Sequence, residues 1–154
     1  MIQDVKTLLL RDLATLRREL ESYPDDASLW RPLPGIANPG GNLALHLAGN
    51  LQGFIGAKLG HSNYVRDRDR EFSARGLSRA EVLREVDAAA QAVEAGLDGL
   101  DPAELDREFP VPIGGRSMST RLFLMNLCAH LGYHLGQLNY HRRLLGTSTA
   151  FPPP

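Results

Sequence analysis

The stretch "AHLGYHLGQLNYHRR" (Ala129 to Arg143) holds three of the chain's five histidines within twelve residues, set among leucines. On a helix of 3.6 residues per turn, His130 and His134 differ by about 40° of rotation and about 6 Å of rise, so both rings leave one face. Phe123 and Leu127 precede them on that face and Leu138 follows, which places the pair on an apolar stripe. Imidazoles there are costly unless their nitrogens find partners. Satisfied packing residues would meet that need, and so would one shared metal ion; the spacing alone leaves both readings open. Ser119 is a good N-cap for this helix, and Gly146 stops it after Leu145.

Working outward, "REFPVPIGGRSMS" (Arg107 to Ser119) reads as a short extended arm, a loose hairpin with Gly114 and Gly115 at its tip. Before it, "LDPAEL" breaks a helix that Ser78 and Glu81 open as a capping box. The apolar stripe of that helix is Val82, Val86, Ala89, Val93, Leu97 and Leu100. The chain begins with another helix, whose inward face is Ile2, Val5, Leu9, Leu13, Leu16 and Leu20. Arg11, Asp12, Arg17, Arg18 and Glu21 face outward. "YPDD" (Tyr23 to Asp26) ends it. "ASLWRPLPGIANPGG" (Ala27 to Gly41) is loop, with Trp30 covering one end of the core. A further helix runs from an Asn42 N-cap to about Leu59. The polar "HSNYVRDRDREFSARG" (His61 to Gly76) follows as loop, its "RDRDRE" run (Arg66 to Glu71) solvated. Four long amphipathic helices predict an all-α four-helix bundle with long connecting loops and a short extended arm before the last helix. Residues 1–150 form one domain, and "FPPP" (151–154) is a frayed tail.

Composition narrows the function. With 17 basic and 18 acidic side chains the net charge is −1, which gives no electrostatic reason for nucleic acid or an anionic membrane as partner. No apolar run approaches the roughly 20 residues of a membrane span, and Asp4 and Lys6 interrupt what would have to be a signal peptide. The single Cys128 makes no internal disulfide. These features point to the cytoplasm.

Among the remaining histidines, His46 lies in "NLALHLAGN" beside Leu43 and Leu47. In an up-down-up-down bundle the second and fourth helices run parallel, which lets His46 meet His130 and His134. His141 nearly shares the azimuth of His134 but stands about 10 Å further along, too far to share an ion. His61 follows Gly60 in a solvated loop. No Glu follows His130, so the H-E-x-x-H motif and its built-in base are absent. Asn50 and Gln137 are pocket lining or hydrogen-bond partners for the rings. Gly49, Gly53, Gly56 and Gly60 lie on the His46 side of their helix. Each costs about 1 kcal/mol against alanine, so either another backbone packs closely there or space is left for a ligand, with close packing the commoner reason. Cys128 points away from the ion and packs. Tyr133 and Tyr140 read as core edge or interface stripe. Gly132 and Gly136 face away from the histidines and would admit a helix, either the first one or one from a second subunit.

"AHLGYHLGQLNYHRRLLG" closely resembles the last-helix motif H-x-x-x-H-x-G-Q-x-x-x-x-R of the DinB/YfiT-like superfamily of bacterial four-helix-bundle proteins. "NLALHLAGNLQGFIG" is similar to that family's first-histidine segment, and "LWRPLPGIANPGGN" and "YVRDRDREFSARGLSRAEVL" also resemble family members. The likeness covers nearly the whole chain. It implies that His46, His130 and His134 bind a divalent metal, zinc or nickel, with an open coordination position. The implied activity is transfer of a low-molecular-weight thiol such as bacillithiol or mycothiol, or a related hydrolysis. The implied assembly is a homodimer. A non-catalytic, stress-associated metal-binding protein is the alternative. On either reading no catalytic residue beyond the ligands is assigned, with His141 or Gln137 left to orient a substrate from the cavity wall.

Overall fold

A computed structural model describes residues 1–146; the expected tail at 151–154 and the last residues of the expected 1–150 domain lie outside them. The described chain is all-α, with four long helices and a short fifth. They are α1 (Ile2–Glu21), α2 (Gly40–Leu51, continued by a π-helical segment, Gln52–Leu59), α3 (Arg68–Ser73), α4 (Arg79–Asp98) and α5 (Thr120–Leu144).

The apolar stripes read from the sequence are the buried faces. Val5, Leu9, Leu13, Leu16 and Leu20 of α1 meet Val82, Val86, Ala89, Val93 and Leu97 of α4 in one core. Asp12, expected outside, is buried beside Arg11. The Ser78–Glu81 capping box starts α4, and the Ser119 hydroxyl accepts from the Leu122 amide to start α5. Asn42 is no N-cap. The helix begins at Gly40, and the fully buried Asn42 amide donates instead to the Glu71 and Ala74 carbonyls. Trp30 covers the core end as expected, stacked where a side chain on Gly41 would stand and donating to the Leu77 carbonyl. The arm is a narrow hairpin joined by isolated bridges, its tip formed by Gly114 and Gly115 at φ of 57° and 78°. Buried Phe109 anchors it.

Helix direction departs from the expected up-down-up-down order. Lys6 pairs with Asp98 and Arg17 with Asp87, so α1 and α4 are antiparallel. Gly56 faces Ala92 and Gly60 faces Gly96, so the π-helical continuation of α2 and α4 are parallel. Gly40 lies beside His141 while Phe54 meets Phe123 at 5.0 Å, so α2 and α5 are antiparallel rather than parallel. The main packing pairs are α1 with α4 and α5, and α2 with α3, α4 and α5. Because α2 and α4 run the same way, the intervening segment must return along a helix of about 30 Å. Residues 60–78, expected as a solvated loop, are that crossover. Asp67 caps α3 within it by accepting from the Arg70 amide.

One ion pair lies inside the core. Arg142 and Glu19 are both essentially inaccessible and pair through Nε and Oε2, and the Asn139 amide donates to the other Glu19 oxygen. This arginine is the one that ends the sequence motif of the last helix. No described helix is long and apolar enough to cross a membrane.

Candidate metal centre

The reversal of α5 relative to α2 brings His46 against the His130–His134 pair just as a parallel arrangement would have. The ring centroids stand 5.1 Å (His46–His130), 5.2 Å (His46–His134) and 4.5 Å (His130–His134) apart. One ring nitrogen from each lies within 4.8 Å of the others, so the three can hold a metal ion. His46 is buried, while His130 and His134 are half-buried at the rim of the core stripe, not within it.

Hydrogen bonds decide which nitrogens converge. The His46 Nδ1–H donates to Glu71 Oε2 at 2.9 Å, and the His134 Nδ1–H donates to Gln137 Oε1 at 2.7 Å. Both rings are thereby left with Nε2 as the free lone pair. The Nε2 atoms of His46 and His130 stand 3.2 Å apart. Two nitrogens at about 2.0–2.1 Å from a tetrahedral ion would be separated by roughly 3.3 Å, so this donor set fits a first-row divalent metal. Burial, with repulsion from His134 and His46, takes the His130 pKa down to about 4, and burial also lowers that of His134. Both are neutral at physiological pH, the form that ligates.

Glu71 is the residue the sequence reading missed. It is buried on α3, and its two oxygens accept from Arg66 Nε at 2.7 Å and Arg66 Nη2 at 2.8 Å as well as from His46. Burial alone would raise its pKa, but the hydrogen bonds from His46 and Arg66 outweigh that and hold it below the ordinary carboxylate range. A fork of this kind supplies a fixed anion for the imidazole. Gly49 makes the room, since a side chain there would overlap Glu71 Oε1; Gly53 does the same for Arg66. Gly56 and Gly60 admit α4, where an added Cβ on Gly60 would stand 2.9 Å from Gly96 Cα. Close packing, not vacant space beside the ion, therefore explains the four glycines. The available signal was Asp67 three residues before Arg70, a cap that announces a helix inside the charged run.

His141 does not line the cavity. It is fully buried, donating through Nε2 to the Arg31 carbonyl at 2.9 Å and accepting at Nδ1 from the Tyr23 hydroxyl at 2.8 Å. It ties the 22–39 loop to α5. Asn50 does face a cavity. About 530 Å³ opens beside His130, walled by Phe54, Phe123, Leu127, Ile113 of the arm and Tyr133. A second cavity, of about 440 Å³, lies past Gln137 between Ile36, Asn38 and Tyr140. Tyr133 and Tyr140 are 66% and 65% exposed, which settles them as surface and not core edge. Cys128 is half-buried in packing, and burial raises its thiol pKa.

The comparisons with known proteins bear on the fold and the family. The chain is similar to a crystal structure of a DinB-like protein from Bacillus cereus ATCC 10987, with a TM-score of 0.71 at 19% identity over 92% of this chain and 91% of that one. That likeness speaks for the fold. No curated protein matches. The family model of the DinB superfamily matches residues 8–138, a span that takes in His46, Glu71, His130 and His134. With most of its length under that model and its three histidines gathered between α2 and α5, the chain belongs to the DinB superfamily.

Proposed function

We propose that the protein is a divalent-metal-dependent enzyme, with zinc or nickel held by His46, His130 and His134, that transfers a low-molecular-weight thiol to an electrophilic small molecule. The observation that carries this reading is the cavity whose wall includes His130. A purely structural ion would be closed off by four protein ligands, whereas three imidazoles beside an open cavity leave a position for substrate. A divalent ion there would supply Lewis acidity, lowering the pKa of a thiol or a water molecule toward neutrality. The chain's own part is to fix the ligands: Glu71 orients His46 and Gln137 orients His134. Two cavities, one against His130 and one past Gln137, suit a reaction with two substrates. Hydrolysis is the reading to adopt if no thiol binds, and a non-catalytic metal protein if no turnover of either kind is found.

The same reading has the protein as a homodimer. Met125, Gly132, Gly136, Tyr140 and Leu144 form an exposed face of α5, and nothing described lies within 4 Å of where a side chain on either glycine would begin. The first helix does not use that face.

Elemental analysis of purified protein, followed by titration of the cobalt-substituted form with bacillithiol, mycothiol, glutathione and cysteine, tests the function. The expected result is one metal per chain and a sulfur-to-cobalt charge-transfer band, with turnover of model electrophiles. His130→Ala is expected to lose stoichiometric metal. Full metal content in that variant overturns the site, and absence of the band and of turnover with every thiol overturns the transferase.

A further inference from the structure

The cavity beside His130 has two properties that bear on what it accepts. Its walls are Phe54, Phe123, Leu127, Ile113 and Tyr133, with the amides of Asn50 and Asn126, and no charged side chain lines it. The Arg66 guanidinium stands over the Phe54 ring at 5.4 Å, with its Nε and Nη2 held by Glu71. Asn50 is 93% buried, one helical turn from His46 on the same face of α2, and its amide makes no hydrogen bond to any described residue. Its amide oxygen and nitrogen are not sealed in, since among the described residues only Arg79 Nε is a fully enclosed side-chain polar atom without a partner. The amide faces the solvent of the cavity, where a ligand can take the place of water. Asn126, by contrast, already has the Met118 sulfur as a neighbour.

We propose that this cavity binds an uncharged substrate with an aromatic or similarly bulky apolar body, and that Asn50 hydrogen-bonds the substrate's amide or carbonyl group. Apolar walls with one convergent polar group are the usual construction of a small-molecule site, and about 530 Å³ lies inside the usual range. A carboxylate would have to shed its water against Phe54 and Phe123 with no cation in the lining, a cost that a neutral amide escapes. Asn50 lies next to His46, so the group it holds stands beside the metal centre, where the preceding proposal places the chemistry. The inference rests on that proposal for its catalytic meaning but not for binding.

The test therefore uses chelator-stripped protein, in which no ion draws anions to the site. Phenylacetamide, phenylacetate and toluene are titrated while the side-chain amide resonances are followed by NMR. Phenylacetamide is expected to bind saturably and shift the Asn50 amide, with phenylacetate at least tenfold weaker. Asn50→Leu is expected to weaken phenylacetamide about fivefold and to leave toluene unchanged, the loss of one net hydrogen bond. Ile113→Glu, at a half-buried arm residue on the edge of the core, places a charge in the wall without changing a helix residue. It is expected to weaken both neutral ligands, and it serves if Asn50→Leu does not fold. Equal binding of the carboxylate, an unshifted Asn50 amide, or no saturable binding of phenylacetamide overturns the inference. Loss of metal or thiol turnover, with these affinities intact, overturns only the catalytic proposal.

Discussion

Glu71 does for His46 what no histidine spacing can: it sets the tautomer and aims Nε2 at the other two rings. Outer partners of this kind typically change metal affinity by 10–100-fold. Glu71→Gln keeps an acceptor for His46 but removes the charge and strands Arg66, so metal affinity is expected to fall at least tenfold in chelator competition with the helical circular dichroism unchanged. A second residue-scale prediction concerns His141. Burial lowers its pKa, and its partners, the Tyr23 hydroxyl and the Arg31 carbonyl, suit the neutral ring. The unfolded chain takes up the proton near pH 6.5 while the folded one does not, so stability is full above that pH and falls as the pH drops below it. Denaturant melts of metal-stripped protein at pH 7.5 and 5.5 should show the decline, and His141→Gln should make it shallower, the remainder coming from His130 and His134, whose pKa values are also lowered. Tyr23→Phe leaves Nδ1 without its donor and should cost about 1–3 kcal/mol at pH 7.5. The His130–His134 pair was legible because helical spacing is local, whereas His46, 84 residues from His130, joined them as a ligand only through the family resemblance. Glu71 was not legible, because 25 residues separate it from His46 and alternating charge looks the same in a solvated loop as in a buried fork.

At the scale of elements, the glycines of α2 and its π-helical continuation set how closely α4 approaches. A Cβ on Gly96 would stand 2.8 Å from the Ile55 carbonyl oxygen, a backbone atom that cannot move aside. Gly96→Ala is therefore expected to destabilise the fold by about 1–3 kcal/mol through overpacking, although alanine is the better helix former by about 1 kcal/mol. Thermal melts would read it, and a stabilised variant would show that the contact is slack. Helices α1, α4 and α5 were legible because each carries its own apolar stripe, and α4 and α5 their own caps. The start of α2 was not: buried on every side, its sequence has no polar face to mark where Asn42 belongs. Its direction against α5 was hidden for another reason. A stripe is the same read from either end, so His46 could meet the pair in either orientation.

For the whole molecule, the exposed face of α5 carries the expectation of a dimer. Light scattering at high concentration should give twice the chain mass, and Gly132→Arg, placed where nothing described is in contact, should return it to one chain without loss of stability. A monomeric native protein would reject the dimer. The crossover between α2 and α4 has a consequence for how the chain is made. Neither α1 with α2 nor α4 with α5 is a main packing pair, so no two consecutive long helices close into a hairpin. A nascent chain that has released only its first 78 residues holds α2 with the short α3 packed on it and α1 without a main packing partner. α4 supplies a partner to both at once, and α5 completes the ring by covering α1 and α2. Assembly is thus weighted toward the end of synthesis, and the last helix to leave the ribosome is also the one that brings two of the three imidazoles.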